Sequence, residues 1–279
     1  MLLTKGDSGD AVRALQRNLN KVGSILLVDG DFGPGTTAAV VDARVVLHQP
    51  GPPDADDAIQ QALAAVPDPL PAVTAAGITF IARAEVTSAT AYRRSFRQPV
   101  WPGGESGVTI GIGYDLKFPT QAQLRADWQA HLPETALMRL TMVLGKAGSH
   151  ALADSVSDVD VPLDDAMAVF VAHTLPGTIL SVHKMYPQSD TLPPARLTAL
   201  VSLVYNRGTR LTDRDAAKQD RREMREIASL LAAENADAVA DQLDAMSRLW
   251  DPQNQAGVVQ RRHDEARLWR AGFVALQLA

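Results

Sequence analysis

Residues 85–116 read E-V-T-S-A-T-A-Y-R-R-S-F-R-Q-P-V-W-P-G-G-E-S-G-V-T-I-G-I-G-Y-D-L, and their order decides how the rest of the chain is read. Glu85 lies near the end of a helix predicted from Thr74, its cap, to about Thr90. Ile78, Ile81, Ala82, Glu85 and Ala89 share one stripe of that helix, which puts a carboxyl group on an apolar face. Such a group needs a partner or a purpose. A salt bridge to Arg94 or Arg97 is one answer. The other is general acid chemistry, because burial of a carboxyl group favours the protonated form that donates. Pro99 to Gly107 is dense in turn residues. Val108-Thr109-Ile110 then reads as a strand, with Thr109 and Ile110 on opposite faces, and Asp115 follows close behind. An acid, a hydroxyl and a second carboxylate in this order suit hydrolysis of a glycosidic bond. Gly111-Ile112-Gly113 is no dinucleotide fingerprint, since the third glycine and the helix that should follow are missing.

Composition narrows the classes. The chain has 279 residues, 46% hydrophobic and 21% charged, enough to bury a core. A net charge of −5 and a pI near 5.7 give no basic field for nucleic acid. There is no cysteine, so disulfides and thiolate metal sites are excluded. No cofactor and no metal site are expected. The N-terminus MLLTKGDSGDAV shows no charged leader followed by a long apolar run, so no Sec signal is expected. No uninterrupted apolar run approaches the roughly 18 residues that span a bilayer, so membrane insertion is not expected either. A monomer is expected.

Residues 1–50 read as a small module. Asp7 or Ser8 is positioned to cap a helix whose Val12, Leu15, Leu19 and Val22 form one stripe. Val28-Asp29-Gly30-Asp31-Phe32-Gly33-Pro34 is a tight loop, and Thr36 or Thr37 is positioned to cap a second apolar segment, Ala38 to Leu47. Asp29 and Asp31 are spaced D-x-D, but the other ligands of a calcium loop are missing. Residues 51–70, with GPPDADD and PDPLP, read as a solvated, semi-rigid linker in which Ala58 to Val66 forms at most two helical turns.

The pattern K-G-D-S-G-x-x-V-x-x-L-Q-x-x-L followed by V-D-G-D-F-G-P-x-T-x-x-A-V resembles the peptidoglycan-binding domain 1 family of cell-wall hydrolases over residues 1–47. The resemblance implies a three-helix module that holds a wall muropeptide, with Asp29, Phe32 and Gly33 near the groove. The chain departs from the family's usual Phe-Gln at Ala43-Arg44. Further on, Glu85, V-T-I-G-I-G-Y-D-L, A-L-V-S-L-V-Y-N-R-G at 199–208 and G-V-V-Q-R-R-H-D-E-A-x-L-W at 257–269 resemble the phage-type lysozymes, in the family's order, and most closely the pesticin-like muramidases. This implies a lysozyme-like domain over 71–279, with a short hairpin and a helical lobe, and a mainly α fold for the whole chain.

Carried over by position, Glu85 is the general acid, while Thr109 and Asp115 hold and polarise the attacking water. Glu105, in the loop before the strand, is the rival second carboxylate. Tyr114 and Asn206 are candidate sugar contacts. Carboxyl separations of about 6.5–9.5 Å leave room for a water and invert, whereas about 5–5.5 Å retains; room for the water is expected. The implied partner is bacterial peptidoglycan, met at the wall after holin release or another export route. Elsewhere, helices are predicted at 121–129, 134–143, 166–173 and 196–205. The acidic stretch 154–165 reads as a loop, and His173 and His183 as structural. In the last helix Val259, Ala266, Trp269 and Phe273 form a core stripe. Arg261, Arg262 and Glu265 beside it are read as core or cleft wall rather than chemistry.

Overall fold

The computed structural model describes residues 1–273. The fold is mainly helical, 58% helix and 3% strand, with one short antiparallel hairpin.

The small module forms around α1 (Asp10–Asn20) and α2 (Pro34–Val46). Val12, Leu15 and Leu19 are buried on the stripe that the sequence predicts. The caps differ from expectation. Gly9 precedes α1, and Asp7 instead accepts the Thr4 backbone N–H at 2.7 Å, which fixes the preceding turn. α2 opens at Pro34, where a missing N–H costs nothing. Thr36 and Thr37 therefore sit inside its first turn, donating to the carbonyls of Asp31 and Gly33.

The segment read as a solvated linker is part of this module. Asp56 caps α3 (Asp57–Ala65) by accepting the Ile59 N–H at 2.9 Å. Ala55, Ile59 and Leu63 are fully buried against Leu3, Val12 and Leu15. Arg44, 5% exposed, draws the segment in: its guanidinium donates to the carbonyls of Gln49 and Asp54 and to the Asp56 carboxylate at 3.0 Å. Composition hid this. The prolines and aspartates lie in the flanking turns, and two apolar side chains one turn apart suffice to dock a short helix.

The larger unit begins with α4 (Thr74–Val86) and α5 (Ala89–Ser95). A hairpin of β1 (Thr109–Ile110) and β2 (Tyr114–Asp115) follows, then α6 (Gln121–Trp128), α7 (Glu134–Thr141) and α8 (His150–Asp154). α9 (Leu163–Val169) runs through a wide π turn at Phe170–Thr174 into α10 (Leu175–Met185). Pro176 explains the wide turn: it has no N–H, and its ring would strike the carbonyl four residues back. The continuous helix Leu163–Met185 has 23 residues and a mean hydropathy of 1.3, long and apolar enough to cross a membrane by length and composition. The sequence shows no unbroken apolar run here, because Asp164, Asp165 and His173 interrupt the helix. Leu163, Phe170, Leu175 and Val182 pack into the large core.

α11 (Pro194–Arg207) is the central helix of the remaining bundle, with α12 (Arg222–Ala232), α13 (Val239–Ala245) and α14 (Ala256–Ala271). It packs on α4, α10 and α14. A Cβ on Gly77 would lie 2.3 Å from Thr198 Oγ1, so only glycine lets α4 approach α11 this closely. The two cores also touch. Ile25 of the small module is 1% exposed inside the large core and holds φ 54°, a left-handed conformation costly for a β-branched residue. Asp42 of α2 pairs with Arg93 of α5.

Leu63→Ala is expected to destabilise the folded chain by about 2–5 kcal/mol, the usual cost of a buried leucine cavity. A free spacer would be indifferent to the change. Urea denaturation, together with protease cleavage at 49–56, checks it.

Candidate active site

α4 delivers Glu85 one residue before its end. Thr87 then turns left-handed at φ 64°, a strained position for a threonine, and Ser88 caps α5 through the Ala91 N–H. The Glu85 side chain keeps 23% of its surface exposed, and its Oε1 accepts Arg261 Nη1 at 2.6 Å. The expected partners Arg94 and Arg97 do not take this place; Arg97 pairs with Asp160.

Arg261, 7% exposed on α14, is held on all sides. Its Nε donates to Ser202 Oγ and its Nη2 to the Ser202 carbonyl, both at 3.0 Å. Ser202 Oγ donates to Glu265 Oε1 at 2.6 Å, and Arg262 Nη2 reaches the same oxygen at 2.8 Å. Burial works against the Arg261 charge, but Glu85 and Glu265 outweigh it and raise its basicity. Burial instead pushes Arg262 down to about 10 and the Glu265 carboxyl up. The last helix thus supplies the group that orients Glu85, more than the core or cleft-wall role expected of it. The signal was R-R-x-x-E, which places Arg261 and Glu265 four apart on one face.

The hairpin aligns the other two residues. Thr109 pairs directly with Asp115 in its register, and Thr109 also bridges Val100 through N–H···O bonds of 2.7 and 2.9 Å. The Asp115 carboxylate accepts the N–H groups of Gly107, at 3.0 and 3.1 Å, and of Lys117, at 2.8 Å. A Cβ on Gly107 would fall 2.5 Å from Asp115 Oδ1, so glycine is required for the loop to wrap the carboxylate. Tyr205 of α11 donates to the Ile112 carbonyl at 2.6 Å, tying the hairpin tip to the bundle. Burial above all raises the Tyr205 phenol, and the charges of Glu85 and Asp115 push it further, so both carboxylates act on one hydroxyl.

The other predicted residues separate. Glu105 is 79% exposed and pairs with Arg214, while its carbonyl accepts Lys117 Nζ at 2.6 Å. Tyr114 donates its hydroxyl to Asp127 at 2.8 Å and sets its ring edge-on to Trp128, which ties it to the scaffold. Asn206, exposed at the end of α11, accepts Arg262 at 3.4 Å. In the small module Asp29 is exposed and shapes its own loop, accepting Gln16 Nε2 at 2.7 Å and the Asp31 N–H at 2.9 Å. Phe32 is not a surface contact: at 1% exposed it is core, packed with Leu15 and Leu19, because the loop folds its one aromatic inward. His173 lies 3.3 Å from Asp127, and His183 Nδ1 lies 2.8 Å from Ser189 Oγ.

Residues 8–43 match the model of a peptidoglycan binding domain family. The N-terminal unit is thus similar to a peptidoglycan-binding module. That points the chain to the cell wall. The matched stretch ends one residue before Arg44, whose guanidinium draws the following segment onto the module. No curated protein matches the chain.

Arg261→Ala leaves Glu85 and Glu265 without their shared cation, and a loss of about 3–5 kcal/mol is expected from urea denaturation. Arg261→Lys keeps the charge and loses the fork to Ser202, so it is expected to fall between the two.

Proposed function

We propose that the chain is a peptidoglycan hydrolase, a muramidase that cleaves the β-1,4 bond between MurNAc and GlcNAc and is brought to the wall by its N-terminal module. The observation that carries this reading is the pairing of Thr109 with Asp115 on a hairpin whose tip is tied to α11, the helix that also anchors the guanidinium on Glu85. The wall-binding module supplies the polymer. Glu85 donates its proton to the leaving glycosidic oxygen as the bond to the anomeric carbon breaks. Asp115 takes a proton from the attacking water, and the Thr109 hydroxyl orients that water. Arg261 is a positioning residue: it fixes the Glu85 carboxyl without touching sugar. Two N–H donors hold Asp115 in place, and this favours it over Glu105, whose carboxylate is exposed and paired with Arg214.

Glu85→Gln is expected to abolish clearing of purified walls while leaving sedimentation with walls intact. Undiminished clearing would remove Glu85 from the chemistry. Mass spectrometry of the wild-type products should show reducing MurNAc ends; anhydro ends would instead mean a lytic transglycosylase.

Asp115→Asn is expected to slow clearing by about 10²–10⁴-fold. Glu105→Gln should leave it within a few-fold. The reverse order, measured on the same wall suspension, would exchange their roles.

A further inference from the structure

The two modules touch through Ile25 but do not meet flush. Between them lies a cleft of about 770 Å³. The small module contributes Arg17 and Leu27, α4 contributes Phe80 and Arg83, and α14 and the turn after it contribute Arg267 and Phe273. The charge on these walls is one-sided: Arg17, Arg83, Arg261 and Arg267 face a single carboxylate, Asp264. Arg261 is held by Glu85, and Arg267 pairs with Asp264. Arg17 and Arg83 have no carboxylate within ion-pair distance among the described residues. Arg83, half-buried, reaches only the Ile25 carbonyl at 3.4 Å; burial weighs against its charge, and Asp29 offsets this from beyond contact. Arg267 Nε is buried without an acceptor. A half-covered guanidinium lacking an anion is an unfavourable arrangement that an incoming carboxylate relieves. Leu27, 39% exposed, and the ring of Phe80 offer apolar surface beside these charges.

We propose that this cleft binds the short peptide that branches from the wall glycan, with Arg17 and Arg83 receiving its carboxylates and Leu27 and Phe80 its small aliphatic side chains. The proposal rests on the muramidase reading for its substrate and adds a second point of recognition to it. Arg83 and Glu85, two residues apart on α4, point to opposite sides of that helix, and Arg261 belongs both to the cleft wall and to the Glu85 ion pair. The cleft is therefore a point of recognition separate from Glu85, built by both modules. A polymer that lacks the peptide has nothing to offer these arginines.

The test uses the full chain carrying Glu85→Gln, so that no turnover intervenes. It is titrated by calorimetry with the tetrapeptide L-Ala-γ-D-Glu-L-Lys-D-Ala and, separately, with chitotetraose. The peptide is expected to bind. Arg83→Gln and Arg17→Gln, each added to that background, should weaken it about tenfold, the effect of one lost charge-assisted hydrogen bond, and leave chitotetraose unaffected. Arg17 is exposed, so its variant reads the site even where Arg83→Gln disturbs folding. Absence of peptide binding at millimolar concentration, binding that both variants leave unchanged, or equal competition by polyphosphate would overturn the proposal. Wild-type protein that binds the peptide yet cleaves no wall would defeat the hydrolase reading and leave the cleft assignment standing.

Discussion

The structure depends on one ion pair, Arg261 with Glu85, made between residues 176 apart in the chain. Placing an arginine where only 7% of the residue meets solvent carries a large desolvation cost. That cost is offset because each nitrogen of the Arg261 guanidinium finds an acceptor, Glu85 on α4 and the hydroxyl and carbonyl of Ser202 on α11, and a second carboxylate, Glu265 one turn along its own helix, lies 3.5 Å from Nε. Three helices are locked in register by one side chain. The same lock fixes the direction of the Glu85 carboxyl, so scaffold and site share a single constraint.

Close helix approach makes the lock geometrically possible. α4 and α11 come together at Gly77 and Thr198 with no room for a Cβ, and this sets Glu85 within reach of the layer that Ser202 and Tyr205 occupy. Tyr205 then extends the constraint to the hairpin through the Ile112 carbonyl, and the hairpin's register brings Thr109 opposite Asp115. Gly107 finishes the arrangement by letting two backbone donors wrap the Asp115 carboxylate. A chain of short-range contacts thus runs from the last helix to the turn at residue 107.

The relation between the modules follows the same logic of buried polar anchors. Arg44 draws residues 49–56 onto α2, so α3 completes the small core instead of floating as a tether. Ile25, in a conformation its side chain disfavours, is kept there by complete burial in the larger core. On the proposed function, a wall-binding unit seated this way presents the polymer in a fixed attitude to Glu85. A flexible spacer would only raise its local concentration.

Local rules carried a large share of the fold. Helical periodicity in Val12-Leu15-Leu19, Ile78-Ile81 and Leu200-Leu203-Val204 foretold which faces are buried, and the turn residues of 99–107 foretold the break before the strand. Helices at 121–128 and 134–141 fall within two residues of the expected ends. Thr109 and Asp115 are brought together because strand register is itself a short-range property. What depended on packing was illegible: which of 27 basic residues meets Glu85, that Phe32 turns inward, that residues 57–65 dock, and that Leu163–Met185 is one helix across a proline. Periodicity reports the face a residue occupies, not what faces it. The sequence by itself therefore determined the buried faces of most helices, the first two helices of the small module and the order of Glu85, Thr109 and Asp115. Only the tertiary structure decided the partners, because a buried charge takes whichever counter-charge the folded helices bring within about 3 Å.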